Sequence, residues 1–393
     1  MALPTRSQPP HSAILILAVA SANLGLSLLS PVITQLREDL LATADEAQFV
    51  LGSFMLSVAA AQLISGSLSD KFGRRYVLII GSVIFGVGGF GAMLATNIDM
   101  LIVMRIVQGA GAAACMTMGR VIVNDSFEGA EAARKMSVIS SAQATVPLFG
   151  FGFGGVIAEF IGWRGSIAIM VFGAILIGVL SSLYIAETRR GVPVPLRLAS
   201  LTTAYLSLIK SPGVRYHGLT SGFAIAMFFT MGGTMPYEFN RLGVSVMEFG
   251  VLFAVTSVGY VVGNAINRRL VGRIGLRRMA LAGSLLTLLV PGSMLAGHLF
   301  DLLTPARLSF LCFCFGICNG LVIANSMICS MRAAGENSGA GTGLLGAIQM
   351  FLGAVSGSII IAFGGATDFV VTSSGLLIIA MLGATSSFLG SKV

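Results

Sequence analysis

Runs of about twenty apolar residues follow one another along the chain, separated by short polar breaks. A hydrocarbon layer about 30 Å thick takes roughly 20 helical residues to cross, so each run predicts one membrane-spanning helix. Six are expected near 13–36, 49–69, 77–95, 100–124, 136–158 and 165–186, and six more near 214–238, 247–267, 279–297, 306–330, 340–363 and 370–390. Between the two sets lies a polar segment, Glu187 to Gly213, with Arg189, Arg190, Pro193, Pro195, Arg197, Lys210 and Pro212. Its part Leu196–Ile209 has the pattern of an amphipathic surface helix. Arg6 and Ala18-Val19-Ala20 imitate a cleavable leader, but the first run continues to about Leu36 and is long enough to span.

Composition supports the membrane reading. Hydrophobic residues make up 55% of the chain and charged ones 10%, too few to cover a soluble surface. The 50 glycines suit close packing of membrane helices better than they suit a soluble bundle. The net charge of +8 sits in short loops rather than on one water-facing patch, which argues against a nucleic-acid partner. With both termini placed in the cytoplasm, 18 of the 24 Lys and Arg fall inside and four, Arg37, Arg164, Arg241 and Arg307, fall outside. Arg105 and Arg120 lie within the fourth span. All five cysteines lie in apolar runs. Cys312, Cys314 and Cys318 cluster, yet the first two point to different helix faces and no His is near, so they read as packing residues. No metal spacing, cofactor motif or nucleophile motif is present, so an enzyme is not expected.

The halves repeat. Leu68-Ser69-Asp70-Lys71-Phe72-Gly73-Arg74-Arg75 joins spans 2 and 3, and Leu270-Val271-Gly272-Arg273-Ile274-Gly275-Leu276-Arg277 joins spans 8 and 9. Gly81 and Gly283 follow at matching positions, and Gln143 matches Gln349 at nearly the same offset. The expected domains are therefore 1–186, a linker 187–213 and 214–393: an all-α polytopic membrane protein of two pseudo-symmetric six-helix bundles with a solute site near the midplane. In span 4, Arg105, Gln108, Ala112, Met116 and Gly119/Arg120 share one stripe, and a polar stripe inside a membrane usually lines a water path.

The segment from Gly66 to Arg75 resembles the loop 2–3 signature of the major facilitator superfamily, and Met104 to Ala113 resembles its R-x-x-Q-G-x-G-A-A motif. Arg120-Val121-Ile122-Val123-Asn124-Asp125, Pro147 to Gly155, Gly162-Trp163-Arg164 and Met235-Pro236-Tyr237-Glu238 are similar to the Bcr/CflA drug-resistance branch, with Asn124 in place of a second Arg. The resemblance implies twelve helices that alternate access to a central site. It implies a cytoplasmic latch of Asp70, Gly73, Arg74 and Asp125, in which the Asp70 position caps span 11 and loop arginines pair with the Asp125 position. It also implies proton-linked efflux of small amphiphilic compounds from a bacterial inner membrane.

Two departures bear on this. Phe151 stands where the span 5 motif has Pro, and Ser27 stands where the branch places an Asp before its M-Y-x-P segment. Proton coupling needs a group whose protonation alternates between states; the remaining candidates are Glu238, His217 and Glu159. These losses keep a second reading open, uptake or facilitated movement of a neutral or anionic metabolite such as a siderophore. The candidate cavity residues are Asn23, Ser27, Arg105, Gln108, Met116, Arg120, Gln143, Phe228, Tyr237, Asn319 and Gln349, with Asn264, Asn325 and the phenylalanines of span 5 (Phe149, Phe151, Phe153) and span 7 as further lining. The expected partners are a small-molecule solute, protons if coupling holds, and lipid, around a monomer.

Overall fold

A computed structural model describes residues 10–189, 198–335 and 338–393, all of it helix and short connections. Arg6, Arg190, Pro193, Pro195 and Arg197 lie outside the described residues. The first half holds α1 (Ser12–Ser27), α2 (Ile33–Asp39), α3 (Ala44–Phe72), α4 (Arg74–Met93), α5 (Ile98–Ser126), α6 (Gly129–Ile161) and α7 (Trp163–Tyr184). After α8 (Leu198–Lys210) come α9 (Pro212–Arg241), α10 (Val246–Ile274), α11 (Leu276–Thr287), α12 (Leu289–Leu299), α13 (Pro305–Ala334), α14 (Ser338–Ile360) and α15 (Phe369–Ser391).

Two expected spans are broken, each where a proline removes a backbone donor. Pro31 has no N–H for the carbonyl of Ser27, so α1 stops there and a 3₁₀ turn, Ser30–Val32, leads into α2. Pro291 has none for Thr287, and the ninth span divides at Leu288 into α11 and α12. With each broken pair taken as one, ten helical segments among the described residues are long and apolar enough to cross a membrane. In α6 the apolar stretch is Thr145–Ile161. α9 misses because Thr220, Ser221, Thr230, Thr234 and several glycines dilute it, although 19 of its 30 residues are buried. The amphipathic helix expected at Leu196–Ile209 is α8.

The repeat is built into the helix ends. Thr43 and Glu46 form a reciprocal capping box at the start of α3, and Ser245 and Glu248 form the same box at the start of α10. Both helices end on a glycine with positive φ, Gly73 at 105° and Gly275 at 88°, which only glycine adopts without strain.

α1–α7 pack as one bundle and α9–α15 as another, joined along two seams, α3 with α14 and α6 with α10. On α3, Gln48, Met55 and Gln62 recur every seven residues and meet glycines of the antiparallel α14. A Cβ on Gly357 would sit 2.5 Å from Gln48 Nε2, and one on Gly346 would sit 2.7 Å from Gln62 Oε1. Met55 fills the notch at Gly353 between them. On the other seam the backbones touch: a Cβ on Gly155 would lie 2.7 Å from the Val246 carbonyl, and one on Gly250 would lie 2.5 Å from that of Phe151. α8 bridges the halves, because Tyr205 Oη donates to Leu63 O at 2.7 Å while Leu208 packs with Val214 and Leu344. Outward faces are apolar: Phe172, Ile175, Val179 and Leu183 stand exposed along α7, a stripe suited to lipid.

Candidate functional site

α5 carries two arginines into different surroundings. Arg105 is wholly buried. Its Nη2 donates to Gly25 O at 2.7 Å, its Nη1 donates to Gln108 Oε1 at 2.5 Å, and the guanidinium lies 4.0 Å from the centre of the Phe54 ring. Gln108 is equally buried, pressed against Gly88 and Gly89 of α4, with Met170 Sδ 3.7 Å from its Nε2. Contrary to the expectation of a water path, this part of the stripe is dry. α1, α3, α4 and α7 close over it, and a carbonyl, an amide and a ring partner the two Nη groups and the face of the cation, while Nε has no hydrogen-bond partner among the described residues.

Arg120, four turns further on, is partly exposed. Its Nη2 donates to Gln143 Oε1 at 2.8 Å, and Gln143 Nε2 lies 3.6 Å from Met116 Sδ. Asn23 Nδ2 donates to the Gln143 carbonyl at 3.2 Å, and Ser27 Oγ donates to Asn23 O at 2.8 Å. α1, α5 and α6 thus bring together Asn23, Ser27, Met116, Arg120 and Gln143. Ser27 itself is buried, its hydroxyl turned onto its own helix and against the backbone of Gly150. The Arg120 guanidinium has no acidic partner among the described residues, and of its five N–H donors one is bonded there, to Gln143.

The other cavity candidates scatter. Gln349 Nε2 lies 3.4 Å from Ser221 Oγ, and Asn319 Nδ2 donates to Ala224 O at 3.3 Å; both buried amides tie neighbours to α9. Asn267 and Asn325 exchange amide bonds between α10 and α13 at 3.4 and 2.7 Å, and Asn264 Nδ2 donates to Tyr260 O at 2.9 Å in its own helix. Phe228 meets Phe151 edge-on with ring centres 5.9 Å apart, and Phe151 meets Phe253 at 4.7 Å, forming an aromatic plug across the α6–α10 seam. Phe149 and Phe153 instead stack on each other on the exposed face of α6. Tyr237 is buried in the apolar core of the first bundle, and its hydroxyl has no hydrogen-bond partner among the described residues.

Call the end that carries the Asp70 loop the basic end. At the far end the halves are sealed. Ser30 Oγ donates to Gly232 O, Gln48 wedges between Gly233 and Gly357, and the aromatic plug sits beside them. Neither Ser30 nor Gln48 was legible as a site residue, since a serine or glutamine in an apolar run carries no local signal of what it faces.

Glu238 is the one acidic side chain among the described residues that is buried, at 3% exposure. Arg241 Nη1 lies 3.0 Å from its Oε2 but off the hydrogen-bonding axis, so that contact is a charge pair rather than a directed bond. His298 Nδ1, from α12, lies 3.8 Å from Oε1. Sequence reasoning missed His298, which is sixty positions from Glu238 with no motif around it. His217 is buried near the basic end against Gly390, and Glu159 is exposed.

At the basic end, Arg74 joins two carboxylates: Nη1 to Asp70 Oδ1 at 2.6 Å and Nε to Asp125 Oδ2 at 2.9 Å. Glu187 Oε1 accepts from the Arg74 backbone N–H at 2.8 Å, and Arg189 Nη1 donates to Lys71 O at 2.8 Å. The Asp70 side chain remains 48% exposed.

The comparisons with known proteins agree with this architecture. Residues 15–358 match the family model described as Major Facilitator Superfamily. The chain is similar to an uncharacterized MFS-type transporter, YdgK, of Bacillus subtilis, 27% identical over 86% of this chain and 85% of that one. It is similar to a bicyclomycin resistance protein homolog of Haemophilus influenzae, 25% identical over 86% and 85%. A chloramphenicol resistance protein of Pseudomonas aeruginosa is 28% identical over 64% of this chain and 59% of that one. Among solved structures, a bacterial homolog of the human lysosomal transporter Spinster, in an inward-facing and unoccupied conformation, superposes with a TM-score of 0.77 at 15% identity, covering 97% and 96%. A D-xylose-proton symporter superposes at 0.75, also at 15% identity, covering 96% of each chain. Two six-helix repeats packed on two seams, an Arg74 network at the loop between spans 2 and 3, and a family match over most of the sequence together make this chain a member of the Major Facilitator Superfamily, a multi-pass transporter and not an enzyme.

Proposed function

We propose that this transporter exports small amphiphilic compounds from the bacterial cytoplasm in exchange for protons, its two bundles rocking about a site at Arg120. The observation that carries the reading is the pairing of a sealed far end with a partly exposed Arg120–Gln143–Asn23 cluster. That combination suits a state open toward the basic end, which the positive-inside rule assigns to the cytoplasm together with both termini. The superposition on a structure titled inward-facing supports the same state. Relatives named for resistance to bicyclomycin and chloramphenicol, and for multidrug resistance in Escherichia coli, support amphiphilic drugs as the solute class.

Arg120 gives the site a positive charge without a carboxylate to balance it. Solutes with a neutral or anionic polar group are therefore favoured over cations, and the remaining contacts from Met116 suit adaptable apolar recognition. For coupling, Glu238 is the residue best placed to hold a proton, because a buried carboxylate costs least when it is paired or neutral.

The test uses purified protein in liposomes with an internal pH dye and a panel of drugs and small acids. The expected outcome is proton movement opposite to a transported drug, absent from empty liposomes and lost in Glu238→Gln. Drug movement with no proton flux would remove the coupling. Proton flux unchanged in Glu238→Gln would move it to another residue.

A further inference from the structure

The two loops that the repeat makes equivalent differ in charge. At the basic end of the first half, Asp70, Asp125, Glu128, Glu131 and Glu187 stand among the cations, and Arg74 is locked between two of them. In the second half the position equivalent to Asp70 is Gly272, and the position equivalent to Arg74 is Leu276. Arg268, Arg269, Arg273, Arg277, Arg278 and Arg332 crowd this end, all exposed. No ion pair reaches them among the described residues, and no described acid lies at this end of the half. Glu336, the acid its sequence places there, lies outside the described residues. The six are not strung out along the surface. α13, which carries Arg332, packs against both α9 and α11, and α11 begins at Leu276, beside Arg277 and Arg278. α9, α11 and α13 therefore converge on one basic corner.

Topology accounts for cations on this side but not for their lack of acidic neighbours, since the first half lies on the same side with five acids among its cations. Six like charges within a few turns repel one another unless anions stand between them. They lie where helices leave the membrane, and the anions concentrated there are phospholipid headgroups. All six are arginine and none is lysine, and the guanidinium fork matches two phosphate oxygens at once where an ammonium offers a point charge.

We propose that the basic end of the second bundle is a binding surface for anionic phospholipid headgroups, with no equivalent on the first bundle. Lipid held there anchors the second bundle in the leaflet while the first moves against it. The inference concerns lipid and is independent of which solute is carried.

The test is native mass spectrometry of the full-length protein released from nanodiscs of mixed phosphatidylglycerol and phosphatidylethanolamine. Wild type is expected to keep phosphatidylglycerol at least tenfold over its share in the bilayer. The fivefold variant R268Q/R269Q/R273Q/R277Q/R278Q is expected to lose that enrichment, while K71Q/R75Q in the first-half loop keeps it. Because removing loop cations can invert a membrane protein, the fivefold variant is scored only when prepared from cells in which a C-terminal tag, inaccessible from outside until the membrane is permeabilised, confirms the wild-type orientation. The conservative set of five Arg→Lys substitutions, which preserves topology, is measured beside it and is expected to show a partial loss. Equal enrichment in wild type and the fivefold variant would overturn the proposal, as would equal retention of both lipids by wild type. Displacement of the lipid by inorganic phosphate would also overturn it, since the surface would then read a free anion rather than a membrane.

Discussion

Arg120 is fastened by one hydrogen bond, to Gln143, and the rest of its donors are free for a solute. Arg120→Ala should therefore lower transport at least tenfold while the protein stays folded, and Arg120→Lys should recover part of it, because a point charge replaces only some of the fork's geometry. Uptake of a labelled substrate into vesicles, read beside a thermal unfolding midpoint, checks both. Wild-type turnover in Arg120→Ala would place the site elsewhere. Arg105 makes an instructive contrast. Both arginines were legible as polar intrusions on one face of a span, and helical spacing joined them into a single stripe. Spacing along one helix does not reveal what neighbouring helices lay over it. Phe54 and Gly25 cover Arg105, which has no exposure, while Arg120 keeps part of its surface. Arg105→Ala should accordingly cost stability, since it leaves Gln108 and the Gly25 carbonyl unpaired in a dry interior, by about 1–3 kcal/mol. An unchanged unfolding midpoint would contradict that role.

At the scale of helices, the far-end closure rests on contacts too tight for any side chain. Gly155 and Gly250 let α6 and α10 meet backbone to backbone. Gly250→Leu should force them apart, lowering the unfolding midpoint and raising labelling of a cysteine placed at the aromatic plug. Gly173→Ala, on a lipid-facing stretch of α7 with no atom within 4 Å of the new methyl group, serves as the control and should leave both unchanged. The helices themselves were legible, because apolar run length is set by bilayer thickness and the capping residues lie next to the turns they serve. The breaks at Ser27 and Leu288 could have been read from Pro31 and Pro291. The partners across each seam could not. Phe151 stood out in the sequence as a departure from a proline-bearing motif, yet only the tertiary structure shows that its ring fills the gap between the halves against Phe228 and Phe253.

For the whole molecule, the Arg74 network couples α3, α4 and α5 to the segment after α7. Asp70 is half exposed, and an ion pair with one partner in solvent contributes about 0.2–1 kcal/mol. Asp70→Asn should thus barely change stability, yet slow transport several-fold if the latch must re-form in each cycle. Normal transport kinetics in that variant would remove the latch. The two seams and the contacts of α8, itself part of the linker, should also hold the halves together without the covalent connection between residues 189 and 198. Residues 1–189 and 198–393 expressed as separate chains should co-purify on a single tag, and failure to do so would mean that the covalent connection carries the assembly.

The seams also bear on how such a chain could have arisen. Leu68 and Leu270 are 202 positions apart, and Gln143 and Gln349 are 206 apart. By those offsets Gln48 corresponds to Gly250, and Gly357 to Phe151. The contact of Gln48 with Gly357 on one seam is therefore the same contact as that of Gly250 with Phe151 on the other, with glycine and large residue exchanged between helices. In an ancestral homodimer of six-helix chains both seams would have been one self-complementary interface used twice, and a change at position 48 would have been imposed on both. Fusion of the two copies freed each seam to vary alone. One became Gln48, Met55 and Gln62 seated in glycines and the other an aromatic plug, an asymmetry that no pair of identical subunits could evolve.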